Sequence, residues 1–221
     1  MRLKIVVMSC DKNKDLWFPF YHCMEKYWKD HPEIIYCTQE ITNPYYKTIK
    51  CGLYASTWTD RLLHMIKNIN CDNVLVMVDD IFIRDYVDSE LILSLQQYIK
   101  DNVASVNLEK TFDPNDKPYN EILMQRPSNG KYHVSVMCNM YCREKLVSIL
   151  RDMHTNPWDF ERINNNKNYT YLIARNKCFI NFGYEDRHWF GIRKGKWCCE
   201  AKQFFEKEGI EIDYSIRGFY K

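Results

Sequence analysis

The sequence predicts an α/β fold built on a mainly parallel central sheet flanked by helices. Two observations carry that reading. Short apolar runs alternate with amphipathic helical stretches through the first half of the chain, the pattern of βαβ units. The run "NVLVMV" is apolar without alternation, as a strand covered on both faces requires. A length of 221 residues suits one sizeable core, read as a single domain.

The elements follow in order. "LKIVVMS" is a buried strand, followed by the charged turn "CDKNKD". "LWFPFYHCMEKYW" is a helix with Pro19 in its first turn. "EIIYCT" is a second short strand. "TWTDRLLHMIKNI" has Trp58, Leu62, Met65, Ile66 and Ile69 at helical spacing, with Ser56 or Thr57 as cap and Asp60 in the first turn. The strand "NVLVMV" ends at Asp79. "SELILSLQQYIKD" reads as a helix capped by Asp88 or Ser89, and "VASVNL" as a strand. Residues Glu109 to Gly130 read as a long loop that a strand at "EILMQ" can interrupt. "YHVSVMCNMY" is a strand, "REKLVSILRDM" a helix and "TNPWDFERI" the start of another. "YTYLIA" and "CFINF" form a smaller strand pair. A last helix around "WCCEAKQFFEKE" ends at Gly209, a suitable C-cap.

Composition narrows the function classes. Net charge is +2 with both signs interspersed, which gives no signal for a polyanion, so no nucleic-acid partner is expected. The apolar run at the N-terminus is too short for a signal peptide, and no window is long enough to span a bilayer. These features predict a cytoplasmic protein. The basic and aromatic stretch from Arg187 to Trp197 allows a peripheral contact with the cytoplasmic membrane face. Ten cysteines without a secretory signal predict reduced, mostly buried thiols, including the pairs Cys138/Cys142 and Cys198/Cys199. The sequon at Asn168 is then idle. His22, His31, His64, His133, His154 and His188 show no ligand spacing and read as structural or surface residues, with His188 the one to check.

The acidic pair Asp79–Asp80 follows a buried strand, at the end where open α/β sheets bind ligands. In a regular strand the two side chains would point to opposite faces. They can converge only if the chain leaves the strand there. One could then hold Mg²⁺ or Mn²⁺ and the other a ribose or a second metal position, the metal neutralising a diphosphate leaving group. A solvated turn explains an isolated acidic pair equally well. Ser9 and Asp11 end the first strand at the corresponding edge, where a carboxylate accepts hydrogen bonds from a base or ribose or belongs to an ordinary loop. Trp58 and Arg61 share one helical face. Arg61 can pair with phosphate there, or Trp58 is core and Arg61 faces solvent. In "NPWDFE", Asn156 caps, Pro157 fits the first helical position, and Asp159 and Glu161 suit the positive end of the helix. Capping explains Trp158 and Phe160 less well and leaves room for a catalytic carboxylate.

Taken in order, "VVMSCDK", "STWTDRLLHMI", "VLVMVDDIFI", "NPWDFE" and "GIRKGKW" resemble a group of small bacterial and viral glycosyltransferases of the GT-A type, linked to capsule or cell-surface polysaccharide synthesis. The resemblance spans Ile5 to Trp197, with "NPWDFE" its most specific piece. It implies a single GT-A-like domain, with 1–108 as the nucleotide-sugar half and 109–221 as the acceptor and catalytic half. It implies transfer of a sugar from a nucleotide-diphosphate donor to a carbohydrate or lipid-linked acceptor hydroxyl, with inversion. On this reading Ser9, Asp11 and Trp58 face the donor and Arg61 lies near its diphosphate. Asp80 is the metal ligand for Mn²⁺ or Mg²⁺, with Asp79 beside it. Glu161 or Asp159 is the base, and Asn156 and Trp158 shape the acceptor pocket. Lys194, Lys196 and Trp197 close over donor or acceptor. The chain has "VDDIF" where the type commonly has Asp-X-Asp, so Arg193, Lys194 and Lys196 could neutralise the diphosphate without a metal. Two other classes use the same residues: a Mg²⁺-dependent phosphoryl or nucleotidyl transferase, and a non-catalytic binder of nucleotide sugars or carbohydrate. No P-loop motif is present.

Overall fold

The computed structural model describes residues 1–52, 57–111, 113–127, 132–162, 169–182 and 191–221. The N-terminal apolar run forms β1 (Leu3–Met8), and β2 (Ile34–Thr38), β3 (Lys47–Lys50) and β4 (Asn73–Val78) join it in parallel. The later strands are β5 (Val103–Asn107), β6 (Lys117–Pro118), β7 (Leu123–Arg126), β8 (Asn139–Cys142) and β9 (Thr170–Ala174). One nine-stranded sheet runs in the order β3-β2-β1-β4-β8-β5-β9-β7-β6. Strand β8 is antiparallel to both β4 and β5, while β5 and β9 are parallel. Because β8 from the second half is inserted between β4 and β5 from the first, both halves of the sequence share one sheet.

Alternation along the strands builds a core on each face. Ile5, Val7, Leu75 and Met77 face α1 (Trp17–Tyr27), α3 (Ser89–Ser94) and α6 (Cys199–Lys207). Val6, Met8, Val74 and Val76 face α2 (Trp58–Lys67), α4 (Arg143–Leu150) and α5 (Pro157–Arg162). Thr57 caps α2 in a reciprocal capping box with Asp60. The other candidate cap, Ser56, lies outside the described residues, as do Asn168 and His188. Asp88 caps α3 by accepting from the Leu91 N–H at 2.9 Å. Gly209, at φ +71°, closes α6: its N–H reaches the Glu206 carbonyl and that of Ile210 reaches Phe205, a Schellman ending.

Three expectations change, and a hairpin is added. The helix from Ser89 is α-helical only to Ser94 and continues as a 3-10 turn over Leu95–Tyr98, with the Ser94 hydroxyl donating to the Leu91 carbonyl. "YHVSVMCNMY" is strand only from Asn139 onward. Left-handed Tyr132 (φ 58°) and Cys138 (φ 46°) break the extended path before it. "CFINF" is not a strand: the Phe179 N–H bonds the Leu108 carbonyl and the Asn181 carbonyl accepts from Arg84. The "GIRKGKW" segment forms a hairpin, β10 (Ile192–Arg193) with β11 (Lys196–Trp197).

The hairpin places Trp197 in the core, which corrects its reading as an acceptor contact. It is 0% exposed, stacks on Phe82 at 5.9 Å and meets Phe205 and Tyr214 edge-on. Trp197→Ala should cost about 3–5 kcal/mol, read as a lower denaturant midpoint in urea unfolding.

Candidate active site

The connection from β1 to β2 runs to one side of β1, and β4 returns on the other. The chain therefore reverses direction across the sheet between β1 and β4, and a crevice opens beyond their carboxyl ends. Ser9 follows β1 and Asp79–Asp80 follow β4, so the topology brings them together there.

Asp79 is 1% exposed and accepts from the Ser9 hydroxyl and from Asn13 Nδ2 at 2.9 Å. Trp17 Nε1 donates to the Ser9 hydroxyl at 2.9 Å. Both carboxylate oxygens are thus held from inside, which corrects Asp79 from direct ligand to anchor of the crevice floor. Burial first, then the Asp80 charge, pushes its carboxyl up to about 7, against the pull of Ser9 and Asn13. Half-buried Asp80 is pushed by burial to about 6, with Arg217 opposing. The Asp80 carbonyl accepts from the Ile192 N–H at 3.1 Å, docking the hairpin against the acidic pair.

Cations ring this floor. Arg61 Nη1 donates to the Ser9 carbonyl at 3.0 Å. Arg217, from the C-terminal turn, grips Asp15 with two bonds of 2.6 and 2.7 Å and also donates to Asn13 Oδ1 at 2.9 Å. Arg217 was not foreseen, because only the fold brings the C-terminal segment back to the turn after β1. Lys194 and Lys196 are exposed on the hairpin, and Lys194 lies over the Tyr220 ring. Asp11 is committed elsewhere: its carboxylate accepts from the backbone of Gln39, Glu40 and Ile41, which corrects its donor-facing role to a brace for the loop after β2. Trp58 packs on Phe160 at 5.8 Å.

The other carboxylates sit across the same edge. Glu161 Oε1 accepts from the Ser135 hydroxyl at 2.9 Å and the Val136 N–H at 3.0 Å. These bonds hold the segment before β8 where its backbone, with left-handed Tyr132 and Cys138, is not extended. Burial raises the Glu161 carboxyl, while the Val136 and Ser135 bonds and Arg162 oppose. Glu109, two residues past β5, is 6% exposed, and burial followed by the Glu161 charge pushes it up to about 8. Glu109 was missed, although an acid just beyond a strand's carboxyl end is the signal that marked Asp79. Asp159 is exposed and bonded to its own cap, accepting from Asn156 Nδ2 at 2.6 Å. Asn156 is exposed beside it, and Trp158 is 66% exposed.

A small recess, open to solvent, lies at this edge, lined by Met77, Val78, Ile81, Met137, Cys138 and Phe182. Val78 and Ile81 flank the acidic pair, and Met137 and Cys138 follow the segment that holds Glu161. Among the described residues no three His, Cys, Asp or Glu side chains gather as a metal cage. A hard cation bound mainly through phosphate oxygens and water needs only one or two carboxylates, and Asp80 meets that smaller requirement.

The buried acids make a pH test. Asp79 in the fold holds its proton up to about 7, against an ordinary value of 3.8. Between those limits the native state binds more protons than the unfolded one, so stability falls as pH rises through the window. Asp79→Asn should remove its share of that slope in urea titrations, leaving the contributions of the same sign from Asp80 and Glu109, whose carboxyls are also pushed up by burial.

No family model matches the chain, and no curated protein matches it in sequence. Solved structures do. S. aureus TarS 1–349 is similar at a TM-score of 0.50 and 12% identity, over 79% of this chain and 57% of that one. The galactosyltransferase LgtC, solved with donor and acceptor sugar analogs, is similar at 0.47 and 12%, over 97% and 99%. A cytidylyltransferase from Leptospira borgpetersenii is similar at 0.44 and 12%, over 73% and 68%. The chain spans less than two thirds of the TarS structure. At such identities the likeness is one of fold: the chain has a single-domain, GT-A-like α/β fold.

Proposed function

We propose that this chain is a glycosyltransferase that moves a sugar from a nucleotide-diphosphate donor to an acceptor hydroxyl. The observation that carries the reading is the acidic pair at the reversal between β1 and β4 of a GT-A-like sheet, with Arg61 and Arg217 beside the Ser9 and Asn13 that border it. The donor diphosphate lies over Asp80, within reach of Arg61 and Arg217. Asp80 would hold a divalent cation, which would supply positive charge against the departing diphosphate. Asp79, Ser9 and Asn13 fix the backbone from which Asp80 projects. Glu161 takes the proton of the acceptor hydroxyl as it attacks the anomeric carbon, with inversion. Its raised affinity for a proton suits a base near neutral pH. Trp158 and Asn156 offer an exposed stacking and hydrogen-bonding surface to a carbohydrate or glycolipid acceptor of surface polysaccharide synthesis.

The test is a panel of nucleotide sugars with Mn²⁺ and with EDTA, read by thermal shift and by released nucleoside diphosphate. TarS has been solved with UDP-GlcNAc, so UDP-sugars come first. A shift with slow donor hydrolysis, lost in EDTA, is the expected result. Survival in EDTA moves the diphosphate onto Arg61, Arg217 and the hairpin lysines. No shift with any donor, together with diphosphate release from a nucleoside triphosphate, overturns the reading in favour of nucleotidyl transfer.

A further inference from the structure

Two of the ten cysteines, Cys37 and Cys51, lie sulfur to sulfur. Cys37 lies in β2, and Cys51 directly follows β3, its N–H bonded to the Thr38 carbonyl at 2.9 Å. Cys37 pairs in register with Ile49, so Cys51 is its diagonal neighbour on the same face. Their sulfurs are 2.8 Å apart. We propose that Cys37 and Cys51 form a peroxide-sensitive dithiol that oxidises reversibly to a disulfide at the outer edge of the sheet.

Placement argues for the pair and for the order of events. Cys37 is 0% exposed and Cys51 is 5% exposed, an opening suited only to a very small oxidant. The Cys51 thiol lies 3.7 Å from the Arg61 carbonyl, which can accept from it, while the Cys37 contact and then the Arg61 charge favour its thiolate, against burial. The Cys37 thiol is held protonated by that contact and by burial. Cys51, the more exposed of the two, is the attacking sulfur. Its thiolate attacks hydrogen peroxide, the O–O bond breaks, and hydroxide leaves to become water on taking a proton. The resulting sulfenic acid is attacked by Cys37, which gives up its proton as the S–O bond breaks and a second water leaves. Two thiols lose two electrons, and one peroxide becomes two waters.

The bond would close the loop between β2 and β3, which carries the Gln39–Ile41 backbone braced by Asp11. Oxidation thus tightens one wall of the crevice beside Arg61. This inference does not depend on sugar transfer.

The experiment treats reduced protein with equimolar hydrogen peroxide, alkylates remaining thiols in denaturant and maps peptides without reductant. A Cys37–Cys51 cross-link that forms first and disappears with dithiothreitol is expected, with a rise in Tm of about 5 °C or more. Full alkylation of both residues, or oxidation confined to exposed Cys199, overturns the proposal. In Cys37→Ala, dimedone should capture a sulfenic acid at Cys51. If that variant fails to fold, the wild-type peptide map decides alone.

Discussion

Glu161→Gln should lower turnover by about 10²–10⁴-fold while the donor still shifts the melting temperature. The substitution is clean because Glu161 is held through one oxygen. Ser135 and Val136 both donate to Oε1, and a glutamine carbonyl oxygen accepts those bonds equally well. The loop before β8 therefore keeps its path, and what disappears is the capacity to take a proton. Asp159→Asn provides the contrast. Asp159 is exposed and tied to Asn156, so its substitution should disturb the helix start by about 1 kcal/mol and leave kcat within a few-fold. Reversal of those two outcomes would move the base to Asp159. Glu109 gives a further handle. Its carboxyl is pushed up to about 8, partly by Glu161, so it is neutral where Glu161 works and ionises only at alkaline pH. Glu109→Gln removes that second charge, and the alkaline limb of the pH–rate profile should move while KM for the donor stays.

The difference between Asp159 and Glu161 was not legible in the sequence, where both sit in one well-made helix start. What separates them is the segment 132–138, which alternates like a strand in sequence but leaves it at left-handed Tyr132 and Cys138 and donates from Ser135 and Val136 to Glu161. The frame was more legible. β1 and β4 are apolar on both faces because helices cover both, and the capping box at Thr57 is a local signal that tertiary contacts did not override. Strand β3, "KTIK", was invisible because an edge strand needs little apolar character. The basic and aromatic run near the C-terminus was misread as one surface. Alternation in the hairpin turns Lys196 outward and Trp197 inward, so charge and ring serve opposite sides of one short strand.

Gly191→Ala should separate that hairpin from the acidic pair. Gly191 has φ +114°, a region that side chains with a Cβ rarely enter. A Cβ there would stand 2.0 Å from the Asp80 carbonyl oxygen and 3.3 Å from the Phe82 ring. Neither neighbour yields easily. The carbonyl is backbone and already accepts from Ile192, and Phe82 is stacked on Trp197. The hairpin must therefore move away, and Asp80 or the Ile192 bond moves with it. Backbone strain and the lost hydrogen bond together amount to about 2–4 kcal/mol. A displacement near 1 Å at Asp80 would lower kcat/KM by about 10²-fold. Gly195→Ala is the control. Gly195 also has positive φ, at +78°, but a Cβ there meets nothing within 4 Å. It should cost about 1 kcal/mol and leave activity unchanged. Equal effects from the two substitutions would mean that strain alone is felt and that the hairpin does not press on the acidic pair. A large effect confined to Gly191 would tie the C-terminal segment to the position of Asp80, and so to the donor.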